Sequence, residues 1–246
     1  MKFVSLLKAK SENIKNAKIP TVAFLGDSVT QGCFEIYMKT ETALETVFDQ
    51  QHAYHKYFAN ILATLYPNVP VNIINAGISG DSACGGAARL ERDVLSHFPD
   101  LTVVCFGLND CGGGMDGIAR YSAALDDIFS RLNAAGSEII FMTPNMMNTT
   151  LSPHLTLPMF KDIAISCAER QNGGVLRAYL DEAKRVAHKH GARVCDVYAK
   201  WEKLYACGVD TTELLSNRIN HPTREMNYLF AYSLVETIFD IDKSAQ

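Results

Sequence analysis

Four short blocks of the sequence carry residue types that could together perform acyl transfer. Ser28 ends a Gly-Asp-Ser tripeptide, and a serine hydroxyl becomes a nucleophile when a base accepts its proton. His221 is the candidate base, since a neutral imidazole can take that proton and later return it to a leaving group. The backbone N–H groups of Ser28 and Gly80 and the side-chain amide of Asn109 are candidate donors to an oxyanion. We expect the glycine at position 80 to allow a close approach of the chain.

The tripeptide Gly-Asp-Ser occurs twice, at 26–28 and at 80–82, so the sequence offers two candidate nucleophiles. Ser28 comes directly after a predicted strand, whereas Ser82 comes several residues after the next strand and directly before a predicted helix. If Ser82 were the nucleophile, Gly80 would lose its role as a donor. We therefore predict Ser28 as the nucleophile.

The elements that must position these residues are strands alternating with helices. Short apolar runs, typical of strands buried on both faces, cover residues 21–25, 69–76, 101–106, 138–143 and 192–197. Helices are predicted within 2–19 and over 52–66, 83–97, 116–133, 159–170 and 175–190. This alternation implies right-handed crossovers and a parallel sheet, whose carboxyl edge is where ligands bind. We predict one domain over residues 1–246, a flavodoxin-like three-layer α/β/α sandwich with a five-stranded parallel sheet.

Three segments are less regular. Residues 33–50 form a long insertion after the first block and are predicted to be irregular or partly helical. Because long loops often act as lids or binding loops, this insertion is either a surface excursion or a substrate-facing segment. Residues 201–216 are predicted to mix helix and loop. Pro222 suits the first position of a helix, so the last helix is predicted to begin there.

Composition narrows the class of protein. The chain has 246 residues, of which 48% are hydrophobic and 20% charged, as in a soluble globular protein with a large core. The net charge of -4, without a basic stripe, argues against a nucleic-acid partner. The amino-terminal segment does not resemble a signal peptide, and no apolar stretch has the length of a membrane span. We expect a cytoplasmic protein with a small-molecule substrate; the sequence does not predict its oligomeric state.

The seven cysteines do not suggest a disulfide framework. Their number is odd and no pair has C-x-x-C spacing, so we expect buried, reduced thiols. No set of His, Asp or Glu has the spacing of metal ligands, and we predict neither a metal nor a cofactor. The motifs G-x-S-x-G, G-x-G-x-x-G and the P-loop are absent.

Taken together, the four blocks resemble those of the SGNH hydrolases, also called the GDSL esterase/lipase family. The matching segments are Gly26-Asp27-Ser28, Asn75-Ala76-Gly77-Ile78-Ser79-Gly80-Asp81, Gly107-Leu108-Asn109-Asp110 and His221-Pro222. The resemblance covers about residues 21–240. It implies a metal-independent serine ester hydrolase with Ser28 and His221 as catalytic residues. It also implies an oxyanion hole formed by Ser28, Gly80 and Asn109.

One position departs from the family pattern. The family places an Asp three residues before the His, and here Arg218 stands at that position. A catalytic His needs an acceptor at its second ring nitrogen. Three acceptors are open: the backbone carbonyl of Arg218, the side-chain oxygen of Asn217 and the carboxylate of Asp196. We favour the carbonyl, because it requires no unusual loop path. With Pro222 starting a helix, His221 would also lie at a helix start, where the dipole disfavours positive charge.

These observations predict a serine esterase that cleaves a small or medium acyl ester, with an acetylated sugar as one candidate substrate. The alternative is a non-catalytic binding module that kept the fold and lost turnover with the Asp. Retention of Ser28, Gly80, Asn109 and His221 weighs against this alternative, because a decayed site has no physical reason to keep an oxyanion donor. A third class, a flavodoxin-like nucleotide binder, would be disfavoured by a colourless protein without a bound phosphate compound.

Overall fold

The computed structural model describes residues 1–241, so the last five residues of the predicted domain lie outside the described part. The strands are β1 (Thr21–Gly26), β2 (Cys33–Met38), β3 (Leu44–Phe48), β4 (Asn72–Gly77), β5 (Leu101–Cys105), β6 (Glu138–Met142) and β7 (Arg193–Cys195). The α-helices are α1 (Lys2–Glu12), α2 (Ser28–Gln31), α3 (Tyr54–Leu65), α4 (Ala83–Asp93), α5 (Ile118–Ala134), α6 (Pro158–Asn172), α7 (Val175–Lys189), α8 (Val197–Ala206) and α9 (Asn227–Phe239).

Five strands form one parallel sheet in the order β4-β1-β5-β6-β7. Every residue of β1 is buried, as expected for a central strand of a parallel sheet covered on both faces. Gly26, the last residue of β1, pairs with Gly77 of β4 and with Cys105 of β5. The predicted five-stranded α/β fold is confirmed, and the carboxyl ends of β4, β1 and β5 lie side by side.

Aromatic side chains join the helices to this sheet. Phe24 of β1 packs edge-on against Tyr54 and Phe58 of α3, with ring centroids 5.7 and 5.9 Å apart. Phe129 of α5 packs edge-on against Phe141 of β6 at 6.3 Å. Full burial of one such side chain contributes about 1.5–3 kcal/mol. Helix α3 also contacts α9, and α5 contacts α4 and α7, so the site rests on a rigid frame.

The insertion over residues 33–50 is a β-hairpin, so the prediction of an irregular or partly helical segment was wrong. Strands β2 and β3 pair antiparallel as a separate two-stranded sheet, from Met38 opposite Leu44 to Cys33 opposite Phe48. Both segments are rich in aromatic and β-branched residues, which favour strands, and five residues connect them. The register shifts between Cys33 and Ile36, which marks a bulge near the start of β2.

In the region before the last helix, the predicted mixture of helix and loop is confirmed, whereas the predicted start of the last helix is wrong. Residues 201–216 contain the end of α8 followed by turns. Pro222 does not begin a helix: it forms an isolated antiparallel bridge with Leu215, and α9 begins only after a further turn. The backbone carbonyl of His221 accepts the N–H of Ser216 at 2.8 Å. His221 therefore lies in a cross-braced loop, and the expected influence of a helix dipole on its charge does not apply.

All seven cysteines, which lie within residues 1–241, carry free thiols. Five are buried as predicted, but Cys84 is partly exposed and Cys207 is exposed.

Within residues 1–241 no helix combines the length and the apolar character that a membrane span requires.

Candidate active site

Ser28 is held at the end of the central strand by a very short helix. Strand β1 ends at Gly26, and the carboxylate of Asp27 accepts the N–H of Val29 at 3.0 Å, which caps α2. Ser28 is the first residue of that helix and is 4% exposed. Because Asp27 caps the helix, the hydroxyl of Ser28 is left for another partner.

That partner is His221. Its Nε2 lies 3.0 Å from Ser28 Oγ, and its Nδ1 lies 2.9 Å from the backbone carbonyl oxygen of Phe34. A carbonyl only accepts hydrogen bonds, so Nδ1 carries the proton and Nε2 presents a lone pair to the serine hydroxyl. All three groups are buried, and the arrangement is that of a nucleophile, a base and a group that orients the base.

None of the three predicted acceptors for Nδ1 occupies that place, so this prediction was wrong. The side-chain oxygen of Asn217 instead accepts backbone N–H groups, including that of His221 at 2.9 Å. The carboxylate of Asp196 caps α8. Arg218 adopts a left-handed backbone conformation with φ 57°, and the acceptor is the carbonyl of Phe34. The physical reason is the hairpin, which brings its own backbone against the imidazole.

The candidate oxyanion donors come from adjacent loops. The Nδ2 of Asn109 donates to the backbone carbonyl of Asp81 at 2.8 Å, beside Gly80. The loop containing Gly80 is joined to the end of β1 by a bond from the N–H of Ile78 to the carbonyl of Gly26 at 3.1 Å. Within residues 1–241, no acceptor bonds the backbone N–H of position 28 or 80, so both donors are free for a ligand.

Gly80 is required for its conformation. Its φ is +79°, which side chains rarely adopt, while a Cβ built there would meet nothing within 4 Å. No neighbouring atom of the described chain would crowd a side chain here, and the close approach of this backbone to a bound oxyanion stays a prediction. A side chain at this position would have room but would strain the backbone that presents the N–H.

A buried arginine ties these loops together. Arg89 of α4 donates from Nε to the carboxylate of Asp81 at 2.7 Å, and from its terminal nitrogens to the carbonyls of Ala76 at 2.6 Å and Gly26 at 2.9 Å. It also pairs with Asp93. One guanidinium therefore fixes the ends of β1 and β4 and the loop that carries Gly80. Charge-assisted bonds of this kind are stronger than neutral ones.

Two buried carboxyl groups lie behind the site. Burial raises the pKa of Asp27 to about 7 and that of Asp110 to about 6. In the described chain, one oxygen of each carboxyl group has no hydrogen-bond partner. The raised pKa of Asp27 favours its protonated form, which lowers the cost of leaving that oxygen unpaired.

Burial also acts on the imidazole. It lowers the pKa of His221 below the ordinary value of 6.5, and the bond to the Phe34 carbonyl and the charge of Glu35 only partly oppose this effect. The imidazole is consequently neutral at pH 7, which is the form that can accept a proton.

Sequence reasoning missed Phe34 and Arg89. Phe34 bonds the imidazole through its backbone carbonyl, a group that every residue type has, so the sequence gives no signal for this contact. Arg89 belongs to none of the four motif blocks, and it is buried with Ala83, Gly86 and Leu90. An arginine at helical spacing among apolar and small residues was the signal that could have identified it.

The described residues 1–241 contain no group of three or more His, Cys, Asp or Glu side chains arranged to hold a metal ion.

Curated relatives of the chain are esterases. It is 28% identical over 130 residues to an acetylxylan esterase of Geobacillus stearothermophilus, covering 49% of this chain and 58% of that protein. It is 29% identical over 116 residues to an arylesterase of Vibrio mimicus, covering 45% of this chain and 54% of that protein. The chain thus spans little more than half the length of the curated relatives it matches.

A solved structure of an acetylxylan esterase from Geobacillus stearothermophilus resembles this fold with a TM-score of 0.65 at 22% identity, covering 90% of this chain and 96% of that one. This likeness shows the shared fold. The sequence profile of the GDSL-like Lipase/Acylhydrolase family matches residues 24–228, which contain Ser28, Gly80, Asn109 and His221. The chain belongs to the GDSL-like Lipase/Acylhydrolase family.

Proposed function

We propose that this protein is a serine esterase that hydrolyses small or medium acyl esters through an acyl-serine intermediate. The observation that carries the proposal is the buried series Ser28 Oγ, His221 and Phe34 carbonyl, with successive distances of 3.0 and 2.9 Å. The esterase relatives support the same reaction class.

In the first half of the reaction, Ser28 Oγ attacks the ester carbonyl carbon while Nε2 of His221 takes the hydroxyl proton. The carbonyl oxygen becomes an oxyanion, for which the N–H groups of Ser28 and Gly80 and the amide of Asn109 are the proposed donors. When the tetrahedral intermediate collapses, Nε2 gives its proton to the departing alcohol oxygen. The acyl group then remains on Ser28 as an ester.

In the second half, Nε2 of His221 takes a proton from a water molecule, whose oxygen attacks the acyl carbon. The second tetrahedral intermediate expels Ser28 Oγ, which recovers the proton from Nε2, and the carboxylic acid leaves. The Phe34 carbonyl keeps Nδ1 protonated throughout. Because it is neutral, it stabilises the imidazolium less than a carboxylate would, and we expect a modest kcat.

An acetylated carbohydrate is the proposed substrate class, supported by the acetylxylan esterase among the relatives. A panel of p-nitrophenyl esters and acetylated xylo-oligosaccharides tests it, with Ser28→Ala as the inactive reference. Acetyl esters should be cleaved faster than long-chain esters. Equal or faster cleavage of long-chain esters would contradict the assignment.

Covalent labelling tests the nucleophile separately from the substrate. A fluorophosphonate probe should add one adduct to the intact protein, and peptide mapping should place it on Ser28. Absence of labelling together with absence of turnover would favour the non-catalytic binding module.

Overnight treatment with EDTA should leave activity intact, because no step of the mechanism uses a metal.

A further inference from the structure

The carbonyl that orients the imidazole is not fixed by a regular strand ladder. Phe34 and Glu35 lie between Cys33 and Ile36, where the register of β2 against β3 shifts. A bulge redirects backbone groups and often lies next to an active site. The two-stranded sheet is also separate from the main sheet, and an isolated hairpin is only marginally stable. Another contact must therefore hold the Phe34 carbonyl in place.

Arg224 makes that contact. Its guanidinium carbon lies 4.3 Å from the centroid of the Phe34 ring. Two of its nitrogens donate to the two carboxylate oxygens of Glu35 at 2.7 and 3.2 Å, and its Nε donates to Asp49 at 2.9 Å. The planar fork of an arginine matches a carboxylate in this bidentate geometry, which a lysine cannot reproduce.

The contacts of Arg224 join the loop that carries His221 to the hairpin. Arg224 lies three residues after His221, in the loop that carries the imidazole. Glu35 belongs to β2 and directly follows Phe34, whereas Asp49 directly follows β3. One side chain from the loop of the base therefore binds β2 and the residue that follows β3, at the two ends of the hairpin that supplies the acceptor.

Two carboxylates face the guanidinium of Arg224. Glu35 and Asp49 face Arg224, and Asp49 also pairs with Nδ1 of His52 at 2.7 Å. The bonds from Arg224 hold the pKa of Glu35 below its ordinary value. Glu35 thus remains charged at neutral pH, and its charge favours the imidazolium form of His221.

We propose that Arg224, acting through Glu35, is a positioning residue that holds the Phe34 carbonyl against Nδ1 of His221. Arg224 and Glu35 thereby orient the imidazole through a backbone carbonyl, as the side chain of the absent aspartate would do directly. The inference rests on the proposed esterase function for its kinetic consequences, whereas the hydrogen bond itself is testable without turnover.

The kinetic test compares Arg224→Gln with wild type. A misplaced base should lower kcat by about 10²-fold with little change in KM. The carbonyl bond raises the pKa of His221, so its loss should move the acidic limb of the kcat/KM profile to lower pH.

Further variants separate charge from geometry. Arg224→Lys keeps the charge without the bidentate guanidinium and should recover only part of the activity. Glu35→Gln should lose less than Arg224→Gln, and the double variant should be no worse than Arg224→Gln.

A matched control exists in Arg177. It pairs with Glu202 and lies over the ring of Tyr198 at 6.0 Å, so it repeats the carboxylate and aromatic contacts on another part of the surface. Arg177→Gln should keep the kcat and the pH profile of wild type. If Arg224→Gln behaves like Arg177→Gln in an active enzyme, the positioning role is wrong.

A spectroscopic test does not depend on activity. With ¹⁵N-labelled histidine, the Nδ1 proton of His221 should give a low-field signal that is absent in His221→Ala. The signal should weaken or disappear in Arg224→Gln and Glu35→Gln and persist in Arg177→Gln. A wild-type protein with this signal but no esterase activity would refute the proposed function alone. A signal unchanged in Arg224→Gln and Glu35→Gln would overturn the positioning role; should Arg224→Gln not fold, Arg224→Lys and Glu35→Gln decide.

Discussion

The same tripeptide, Gly-Asp-Ser, occurs at 26–28 and at 80–82, and the two copies make different contacts with the helix that follows each of them. In the first copy the aspartate caps the following helix, and the serine is the first helical residue. In the second copy the serine itself is the cap: the Oγ of Ser82 accepts the N–H of Gly85 at 3.5 Å. Because the helix starts one residue earlier relative to the first tripeptide, the hydroxyl of Ser28 bonds His221, whereas that of Ser82 caps its helix.

The two aspartates differ in the same way. Asp27 accepts one N–H and leaves its second oxygen without a partner in the described chain. Asp81 uses both oxygens, one for the N–H of Ser82 at 2.8 Å and one for Nε of Arg89 at 2.7 Å. The first copy is therefore arranged around the proposed nucleophile, and the second around a structural ion pair. Short sequence motifs acquire their roles from where the adjoining helix begins.

The sharpest test of this difference replaces each serine. Ser28→Ala should lower kcat by about 10⁶-fold, the loss typical of removing a serine nucleophile. Ser82→Ala should keep kcat near the wild-type value and lower the free energy of unfolding by about 1 kcal/mol, since a cap is lost. Hydrolysis of p-nitrophenyl acetate and urea unfolding measure the two quantities. Loss of activity in Ser82→Ala with wild-type stability would reverse the assignment.

A smaller effect is expected at Asn109, which contacts the second tripeptide. Its amide donates to the carbonyl of Asp81 and is proposed to strengthen its bond to the substrate oxygen in the transition state. Asn109→Ala should lower kcat by about 10²–10³-fold with a smaller effect on KM. Asn133, an exposed residue whose amide also donates to a backbone carbonyl, is the matched control. A kcat in Asn109→Ala equal to that of Asn133→Ala would place the donor elsewhere.

Asp81→Asn should reduce stability. An amide offers one acceptor oxygen where Ser82 and Arg89 require two, and breaking a buried ion pair costs about 3 kcal/mol. Urea unfolding measures the loss. The comparison is Asp127→Asn, which removes the partner of Arg131 in an exposed pair and should cost less than about 1 kcal/mol. Equal losses of unfolding free energy in the two variants would show that the Asp81–Arg89 pair stabilises the fold no more than an exposed pair does.

The smallest effect concerns pH and Asp27. Its pKa is raised from 3.8 to about 7 on folding, so the folded state binds the proton more tightly than the unfolded state. The resulting stabilisation is full below the unfolded pKa and is lost as pH rises through about 7, a change of about 2 kcal/mol between pH 5 and pH 7. Asp27→Asn should remove this dependence when urea unfolding is compared at the two pH values. Parallel profiles for wild type and variant would contradict it.

The sheet and three of the motif blocks were predictable because their signals are local. Each of Ser28, Gly80 and Asn109 closely follows a strand of the parallel sheet, and parallel strands bring such positions to one edge. The proximity of Ser28 to His221 was inferred from chemistry across 193 residues of sequence separation. Their catalytic roles stay predictions until the variants are measured.

The acceptor for the imidazole could not be predicted, for a physical reason. The carbonyl of Phe34 is 187 positions away from His221, and every residue type has a carbonyl. The preference of Pro222 for a helix start was overridden by its bridge to Leu215. In the 33–50 insertion, by contrast, aromatic and β-branched residues that favour strands are present in both segments.

The separate hairpin implies that the arrangement of the candidate active site is lost at a lower denaturant concentration than the fold of the core. Strands β2 and β3 share no ladder with the main sheet, and β3 has no buried residue. Local opening of such a unit requires less free energy than global unfolding. A range of mild denaturant should therefore exist in which the core is intact while the hairpin has detached from the imidazole. In that range the protein would be folded but inactive, and amide hydrogens of the hairpin would exchange well before those of β1.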